Sequence, residues 1–284
     1  MGRTPPDLRF DRVLASWRLT RDGLPKITRS STLLPVRRDG KPLMLKIAQE
    51  PEERWGCQLM VWWNGDGAAR VHEHEDGVLL LERAIGERCL AEMARMGQDD
   101  AASRIICSVA AQLHAPRDRP WPELVPLTQW FEALEPVAAT LGGILARAAG
   151  LTRELLSSPQ DTTVLHGDLH HQNVLDFGPR GWLAIDPKCL VGERAFDFVN
   201  ILRNPDFEIA TAPGRLGRQA HVLAEAAGLD REGLLKWTLA FAGLSAAWII
   251  GDGDEPTLDL AVAELAAGEL AAASPSNSHL CRNG

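Results

Sequence analysis

The first 85 residues consist of short apolar runs separated by turn residues, a pattern typical of β-strands. Asp39-Gly40 and Asp76-Gly77 each lie between two such runs, and an Asp-Gly pair in this setting favours a tight hairpin turn. The runs predicted as strands are residues 17–23, 25–36, 42–48, 68–76 and 78–84. We therefore predict a β-rich region at the start of the chain.

One helix is predicted within this β-rich region. Pro51-Glu52-Glu53 stands at its start, where proline fits the first turn and acidic side chains interact favourably with the helix dipole. The helical pattern continues to about Trp63, and Asn64-Gly65 supplies residues that commonly end a helix. The helix would directly follow the third predicted strand, which ends near Lys46.

From Glu87 onward the chain is mainly helical. Residues 99–114 place apolar side chains at helical spacing, and residues 127–157 are rich in alanine and leucine and predict two helical pieces. The chain from about Pro213 is helical again. Between these helices, residues 162–187 contain two apolar strand segments, which predict a single hairpin within the helical part.

This division predicts an α+β fold with a small β-rich N-terminal lobe and a larger, mainly helical C-terminal lobe. The domains are predicted at residues 1–85 and 86–273, and residues 274–284 are predicted to form a flexible tail rich in serine and asparagine. A cleft between two lobes is a common place for a ligand site.

The charge balance restricts the kind of ligand. The 284 residues include 30 Lys and Arg against 38 Asp and Glu, which gives a formal net charge of −8. Nucleic-acid binding requires a basic face that neutralises phosphates, so the balance argues against it. An acidic protein suits a cationic ligand. We expect neither a nucleic-acid partner nor an obligate protein partner.

The start of the chain, its longest apolar stretch and its cysteines predict a cytoplasmic protein. Met1–Arg9 is polar and has no apolar region of a signal peptide. The longest apolar stretch, Trp237–Gly251, is too short to span a bilayer and is predicted as a buried helix. The five cysteines are widely scattered without a C-x-x-C pair, which favours reduced thiols.

The strongest chemical signal is the segment HGDLHHQN, residues 166–173, after an apolar strand segment. Asp168 precedes Asn173 by five residues, and Asp186 ends the apolar run WLAI thirteen residues further on. Phosphoryl transfer from ATP needs a carboxylate that accepts the proton of the attacking hydroxyl. It also needs oxygen ligands for Mg2+, which carboxylate and amide groups supply. The spacing therefore predicts a phosphotransferase site.

These segments resemble the aminoglycoside phosphotransferase family, whose members are related to protein kinases. LHGDLHHQNVLDFGPRGWLAIDP carries the family resemblance, and VGERAFD, WNGDGAAR and LSAAW followed by GDGDE resemble the group of streptomycin 6-phosphotransferases and hydroxyurea phosphotransferases. The likeness covers the chain from about Trp17 to Ala266. It implies a two-lobed, protein-kinase-like fold.

The resemblance implies roles for individual residues. Asp168 would be the catalytic base, and Asn173 and Asp186 would hold Mg2+. Lys46 would pair with the α- and β-phosphates of ATP. Glu53 would orient Lys46, with Glu50 and Glu52 as competing candidates. The link that follows LLLE, residues 79–82, would bind adenine through the backbone of Glu82 and Ala84.

The chain departs from protein kinases in several places. The segment between the first two strands has no G-x-G-x-x-G loop, and Ser30 and Ser31 are its candidate phosphate contacts. Gly167 precedes Asp168 where protein kinases that are switched by phosphorylation carry arginine, and Pro187-Lys188 follows Asp186 in place of Phe-Gly. These differences argue against a protein substrate.

The resemblance implies streptomycin as the acceptor, phosphorylated on the 6-hydroxyl of its streptidine ring. Streptomycin carries two guanidinium groups on this ring and a methylated amine on a sugar. Guanidinium groups pair with carboxylates and stack on aromatic faces. The candidate contacts with this cationic substrate are Asp197, Trp248, Asp252, Asp254 and Glu255.

Five alternatives stay open from the sequence. The same loops occur in kinases of small hydroxylated metabolites such as choline, homoserine and methylthioribose. The chain could also be a non-catalytic nucleotide-binding module. His166, His170 and His171 could belong to a zinc hydrolase. Asp197 could anchor the catalytic loop rather than contact substrate, and the acidic turn at residues 252–255 could be only solvated.

Overall fold

Six short strands pair into one antiparallel sheet in the computed structural model, which describes residues 6–28 and 30–273. They are β1 (Thr20–Arg21), β2 (Lys26–Ile27), β3 (Ser31–Arg38), β4 (Lys41–Ala48), β5 (Val71–Glu75) and β6 (Val78–Glu82). The order along the sheet is β1-β3-β4-β6-β5, and β2 also pairs with β3. The hairpins predicted at Asp39-Gly40 and Asp76-Gly77 are confirmed, since these pairs connect β3 to β4 and β5 to β6.

Two helices accompany this sheet, although the sequence patterns predict only one. The predicted helix, α2, spans Pro51–Trp63, and Asn64 follows its last turn in the left-handed conformation with φ 50°. The additional helix, α1, spans Pro6–Ser16. Its prolines and charged residues conceal a short helical spacing of apolar residues, and of these Phe10 and Val13 are buried.

The two faces of the sheet carry different residues. Leu45 and Ile47 of β4 lie in a buried apolar cluster with Phe10 and Val13 of α1. Successive side chains of a strand point to opposite faces, so Lys46 points to the other face. The first turn of α2 lies on that face, because its Glu53 contacts Lys46.

The rest of the described chain is mainly helical. The helices are α3 (Leu90–Met93), α4 (Asp99–His114), α5 (Leu127–Trp130), α6 (Leu134–Leu141), α7 (Gly143–Ser157), α8 (Val199–Leu202), α9 (Phe207–Ala210), α10 (Arg215–Ala227), α11 (Arg231–Gly251) and α12 (Thr257–Ala273). The strands are β7 (Val125–Pro126), β8 (Thr162–Leu165), β9 (Val174–Asp176), β10 (Trp182–Ala184) and β11 (Leu190–Glu193). β9 and β10 pair antiparallel. Residues 162–187 therefore contain three strands rather than the two predicted, and β8, which precedes the Asp168 loop, pairs with β11 instead of with β10.

The segment 127–157 forms three helices rather than the two predicted. The turn that follows Trp130 separates α5 from α6. Gly142, with a φ of 65°, separates α6 from α7, which begins at Gly143. Helix α4 has the predicted bounds, Asp99–His114, with two acidic residues in its first turn.

The described chain forms two compact units. The first comprises the described residues up to Leu90 together with Ser108–Val125 and Val164–Val191, and the second comprises Ala91–Cys107, Pro126–Thr163 and the described residues from Gly192 onward. The first unit therefore includes two stretches from later in the chain, Ser108–Val125 and Val164–Val191, in addition to the β-rich region. The predicted tail, residues 274–284, lies outside the described residues.

The longest helix, α11, forms the centre of the second unit. It packs against α6, α7, α8, α10 and α12. Its length and composition would allow it to cross a membrane, but 72% of its most apolar window is buried inside the protein. This burial agrees with the predicted buried helix over Trp237–Gly251. Phe196 packs edge to face on Trp237 and Phe241 of this helix, with 5.6 Å and 5.4 Å between the ring centroids.

Candidate active site

Lys46 is a buried cation of the first unit. Its ammonium group lies 2.5 Å from Glu53 Oε2 and also contacts Asp186 Oδ1. Burial alone would lower the pKa of Lys46, but the Asp186 and Glu53 carboxylates raise it above its ordinary value. The structure therefore brings the lysine of β4 together with Asp186, which follows it by 140 residues.

Glu53 is the acidic partner that the structure provides for Lys46. Its side chain is 2% exposed and binds a second lysine, because Lys188 Nζ lies 3.1 Å from Glu53 Oε1. Burial alone would lower the pKa of Lys188, but Glu53, Asp168 and Asp186 raise it above its ordinary value. Each oxygen of the Glu53 carboxylate thus accepts a hydrogen bond from a different ammonium group.

His166 supports the loop that carries Asp168. It is fully buried, stacks on Trp63 and lies with Nε2 2.8 Å from the carbonyl oxygen of Ile185. The backbone N–H of Asp168 donates to its Nδ1 at 3.2 Å. Since Nδ1 accepts, Nε2 carries the proton and donates to Ile185. The ring therefore holds the Asp168 loop against the segment that leads to Asp186.

Further hydrogen bonds connect the two loops. Asn173 Nδ2 donates to the backbone carbonyl of Asp168 at 2.8 Å and to its carboxylate at 3.2 Å. The backbone N–H of Ile185 donates to the carbonyl of Asn173 at 2.9 Å. Because Asn173 uses its amide nitrogen for Asp168, its amide oxygen is the atom suited to a metal ion.

Asp186 lies in an uncommon backbone conformation. Its φ of 63° falls in the left-handed region, which non-glycine residues rarely adopt outside functional sites and turns. Burial alone would raise the pKa of Asp186, but Lys46 and Lys188 hold it well below its usual range. Asp186 is therefore a carboxylate anion at neutral pH, and its side chain remains 33% exposed.

A glycine of α2 allows this helix to approach the Asp186 loop. A Cβ atom at Gly56 would lie 2.2 Å from the carbonyl oxygen of Pro187. Gly56 is almost one helical turn after Glu53, so the close approach sets how near Glu53 comes to Lys46 and Lys188. The sequence gives no sign of this contact, since glycine within a helix predicts only a modest loss of helix stability.

Gly56→Ala should therefore destabilise the protein. We expect the free energy of unfolding, measured by urea denaturation, to fall by roughly 1–3 kcal/mol, as for other overpacked interiors. Gly268→Ala in α12 is the matched control, because a Cβ there meets nothing within 4 Å. It should raise the free energy of unfolding by about 0.5–1 kcal/mol. Equal effects of the two substitutions would contradict the close approach.

The predicted adenine and phosphate contacts lie in the same unit. The backbone N–H of Glu82 donates to the carbonyl of Arg70 at 2.9 Å, so an adenine contact through Glu82 would need its carbonyl oxygen. Ala84 follows the end of β6. Ser31 is buried, with its hydroxyl 3.2 Å from that of Thr28 in the turn before β3. The carbonyl of Ser30 accepts the N–H of Gln49 at 2.8 Å.

The predicted substrate contacts lie in the second unit. Asp197 is buried, with 1% of its surface exposed, and its contact with a substrate stays a prediction. Trp248 is half-buried and packs edge to face on Trp130, with 5.3 Å between the ring centroids. The acidic residues of the turn after α11 are exposed: Asp252, Asp254 and Glu255. Their role in substrate binding stays a prediction.

The structure does not favour a zinc hydrolase. Among the described residues, no group of three or more His, Cys, Asp and Glu side chains is placed to hold a metal ion. Both ring nitrogens of His166 form hydrogen bonds with backbone groups, Nδ1 with the N–H of Asp168 and Nε2 with the carbonyl of Ile185. Mg2+ needs fewer protein ligands, since it is usually held by one or two carboxylates together with substrate phosphates. Asp186 and Asn173 fit that requirement.

Sequence reasoning did not assign a role to Lys188. Its position two residues after Asp186 is a local signal, but its contact with Glu53 joins residues 135 apart in the chain. Cys189, its neighbour, is fully buried, and burial raises the pKa of its thiol to about 12. This agrees with a packed side chain rather than a nucleophile.

Comparisons with known proteins show the family of this chain. A model of the aminoglycoside/hydroxyurea antibiotic resistance kinase family matches residues 16–253. The streptomycin 3''-kinase of Klebsiella pneumoniae is 51% identical over 259 residues, which cover 88% of this chain and 97% of that protein. The streptomycin 6-kinase of Streptomyces griseus is 32% identical over 265 residues, covering 85% and 82%.

A solved structure gives the same fold. A thermostable mutant of the aminoglycoside phosphotransferase APH(4)-Ia, in a ternary complex with AMP-PNP and hygromycin B, aligns with a TM-score of 0.63. The sequences are 13% identical, and the alignment covers 92% of this chain and 96% of that chain. The fold is therefore the protein-kinase-like fold of small-molecule phosphotransferases, with a β-rich N-terminal region and a helical C-terminal part. The chain belongs to the aminoglycoside/hydroxyurea antibiotic resistance kinase family.

Proposed function

We propose that this protein transfers the γ-phosphate of ATP to a hydroxyl group of streptomycin and thereby inactivates the antibiotic. The observation that carries this proposal is the contact of Lys46 with both Glu53 and Asp186, beside the Asp168–Asn173 loop. This set of side chains suits ATP-dependent phosphoryl transfer. The three streptomycin kinases among the relatives support the choice of acceptor.

In the proposed reaction, Asp168 accepts the proton of the acceptor hydroxyl. The hydroxyl oxygen forms a bond to the γ-phosphorus, and the bond from that phosphorus to the bridging oxygen breaks, with its electron pair leaving on ADP. Lys46 would bind the α- and β-phosphates and is itself held in place by Glu53. Placement of the reactants and neutralisation of charge supply most of the rate enhancement.

Asp186 and Asn173 would hold Mg2+ through the carboxylate and the amide oxygen. When bound, the metal ion neutralises part of the triphosphate charge. Asp186 is an anion at neutral pH because of Lys46 and Lys188, and Asn173 is oriented by its two hydrogen bonds to Asp168. The protein thus presents two oxygen ligands on loops that hydrogen bonds hold together.

We propose the 3''-hydroxyl as the acceptor, in place of the 6-hydroxyl that the sequence resemblance implies. The supporting observation is the 51% identity to a streptomycin 3''-kinase, against 32% to a streptomycin 6-kinase. The 6-hydroxyl belongs to the streptidine ring, whereas the 3''-hydroxyl belongs to the sugar with the methylated amine. The two products therefore differ in which fragment carries the phosphate.

Tandem mass spectrometry of streptomycin after incubation with the protein and MgATP tests both points. We expect one added phosphate per drug molecule, retained on the methylamino-sugar fragment. Phosphate on the streptidine fragment would reject the 3''-hydroxyl and favour the 6-hydroxyl. ADP release with choline or homoserine but not with streptomycin would favour a metabolite kinase. Tight nucleotide binding without transfer to any acceptor would favour a non-catalytic module.

A further inference from the structure

Glu53 pairs with two lysines, Lys46 and Lys188, although one ammonium group would neutralise its carboxylate. Lys46 already binds Glu53 and Asp186 and is the deeper of the two lysines, with a side chain 8% exposed. Lys188 binds the other oxygen of Glu53 at 3.1 Å. A lysine ammonium has three N–H donors, so Lys188 can bind Glu53 and still donate to a ligand.

The exposed side of this cluster consists of Lys188 and two carboxylates. The side chains of Lys188, Asp168 and Asp186 are 23%, 29% and 33% exposed, whereas Glu53 is 2% exposed. The backbone N–H of Lys188 donates to the carbonyl of His166 at 2.7 Å. Lys188 therefore starts beside the Asp168 loop, and its side chain extends to Glu53. A ligand that reaches Asp168 and Asp186 would also reach this ammonium group.

The charge of the cluster makes this second ammonium group important. Three carboxylates against two ammonium groups leave one net negative charge before a nucleotide binds. A triphosphate adds further negative charge, and during phosphoryl transfer this charge spreads over the oxygens of the transferred group. Lys188 is the lysine of the cluster that is accessible next to the proposed base, whereas Lys46 is enclosed between two acids.

We propose that Lys188 binds the terminal phosphate of ATP and stabilises its negative charge during transfer, while Lys46 binds the inner phosphates. The assignment rests on the proposed kinase function and extends it. The bond changes are those of the proposed reaction. The bond between the γ-phosphorus and the acceptor oxygen forms, the bond between that phosphorus and the bridging oxygen of ADP breaks, and the hydroxyl proton goes to Asp168. Lys188 keeps its proton throughout.

Lys188→Met and Lys46→Met form a matched pair, since each removes one ammonium group from Glu53. Isothermal titration calorimetry with Mg2+ and no acceptor would measure the affinity for ADP and for AMP-PNP. Lys188→Met should weaken AMP-PNP binding by roughly tenfold, the worth of one charged hydrogen bond, and change ADP binding by less than about twofold. Lys46→Met should weaken both. The turnover number of Lys188→Met should fall by about 100-fold or more, with partial recovery in Lys188→Arg.

Equal losses of ADP and AMP-PNP affinity in Lys188→Met would overturn the proposal, because they would indicate that Lys188 only positions Glu53. Unchanged binding and turnover would also overturn it. Lys188→Gln, which retains a donor for Glu53, replaces Lys188→Met if the latter does not fold. If the wild-type protein fails to phosphorylate streptomycin, the proposed acceptor is wrong. The difference between ADP and AMP-PNP would still test Lys188, because that measurement uses no acceptor.

Discussion

Asp168→Asn should reduce the turnover number for phosphate transfer by roughly 10²- to 10⁴-fold, the usual contribution of a general base. Asparagine has nearly the same shape as aspartate, so the contact with Asn173 can persist, but it cannot accept the proton of the acceptor hydroxyl. Because Asp168 is proposed to act only on the acceptor, the affinity for MgADP should change by less than about twofold. Steady-state kinetics and calorimetry on the same preparation would measure both quantities.

The control for this substitution is Asp11→Asn, which changes an exposed carboxylate that pairs with Arg21. It should leave turnover and nucleotide affinity unchanged. If Asp168→Asn retains turnover near that of the wild type, Asp168 is not the base. A loss of nucleotide affinity comparable to the loss of turnover would mean that Asp168 supports the nucleotide site instead.

Local signals in the sequence predicted much of the first unit. Two Asp-Gly turns defined the hairpins, and proline, acidic residues and Asn64 defined both ends of α2. These features depend on residues close together in the chain, which is why they can be inferred without the fold. The position of Lys46 near the end of a strand followed from the same signals.

Long-range packing determined what the sequence could not show. Three glutamates stand at the start of α2, and the packing of α2 against the sheet brings Glu53 to Lys46. Two contacts of the site join segments more than 100 residues apart. Lys188 binds Glu53, and Gly56 lies against Pro187. α1 was missed for a local reason, since polar residues and prolines conceal its short apolar face.

Asp186→Asn should weaken nucleotide binding when magnesium is present and should not weaken it when magnesium is absent. At saturating Mg2+, the affinity for AMP-PNP should fall by at least roughly 10- to 100-fold, because the substitution removes a charged metal ligand. In EDTA, the wild-type carboxylate repels the triphosphate, so the variant should bind AMP-PNP as tightly as the wild type or more tightly. Calorimetry at several Mg2+ concentrations would measure the affinity of the variant and of the wild type for AMP-PNP.

This dependence on magnesium separates a metal ligand from a structural residue. Lys46 keeps Glu53 as a partner in Asp186→Asn, so its buried charge stays compensated and the fold should persist. A merely structural Asp186 would weaken nucleotide binding equally in Mg2+ and in EDTA. A variant whose affinity still rises with Mg2+ as steeply as that of the wild type would show that the metal is held elsewhere. Gly56→Ala provides a second comparison, because it disturbs the same loop without removing a charge and should weaken binding in both conditions.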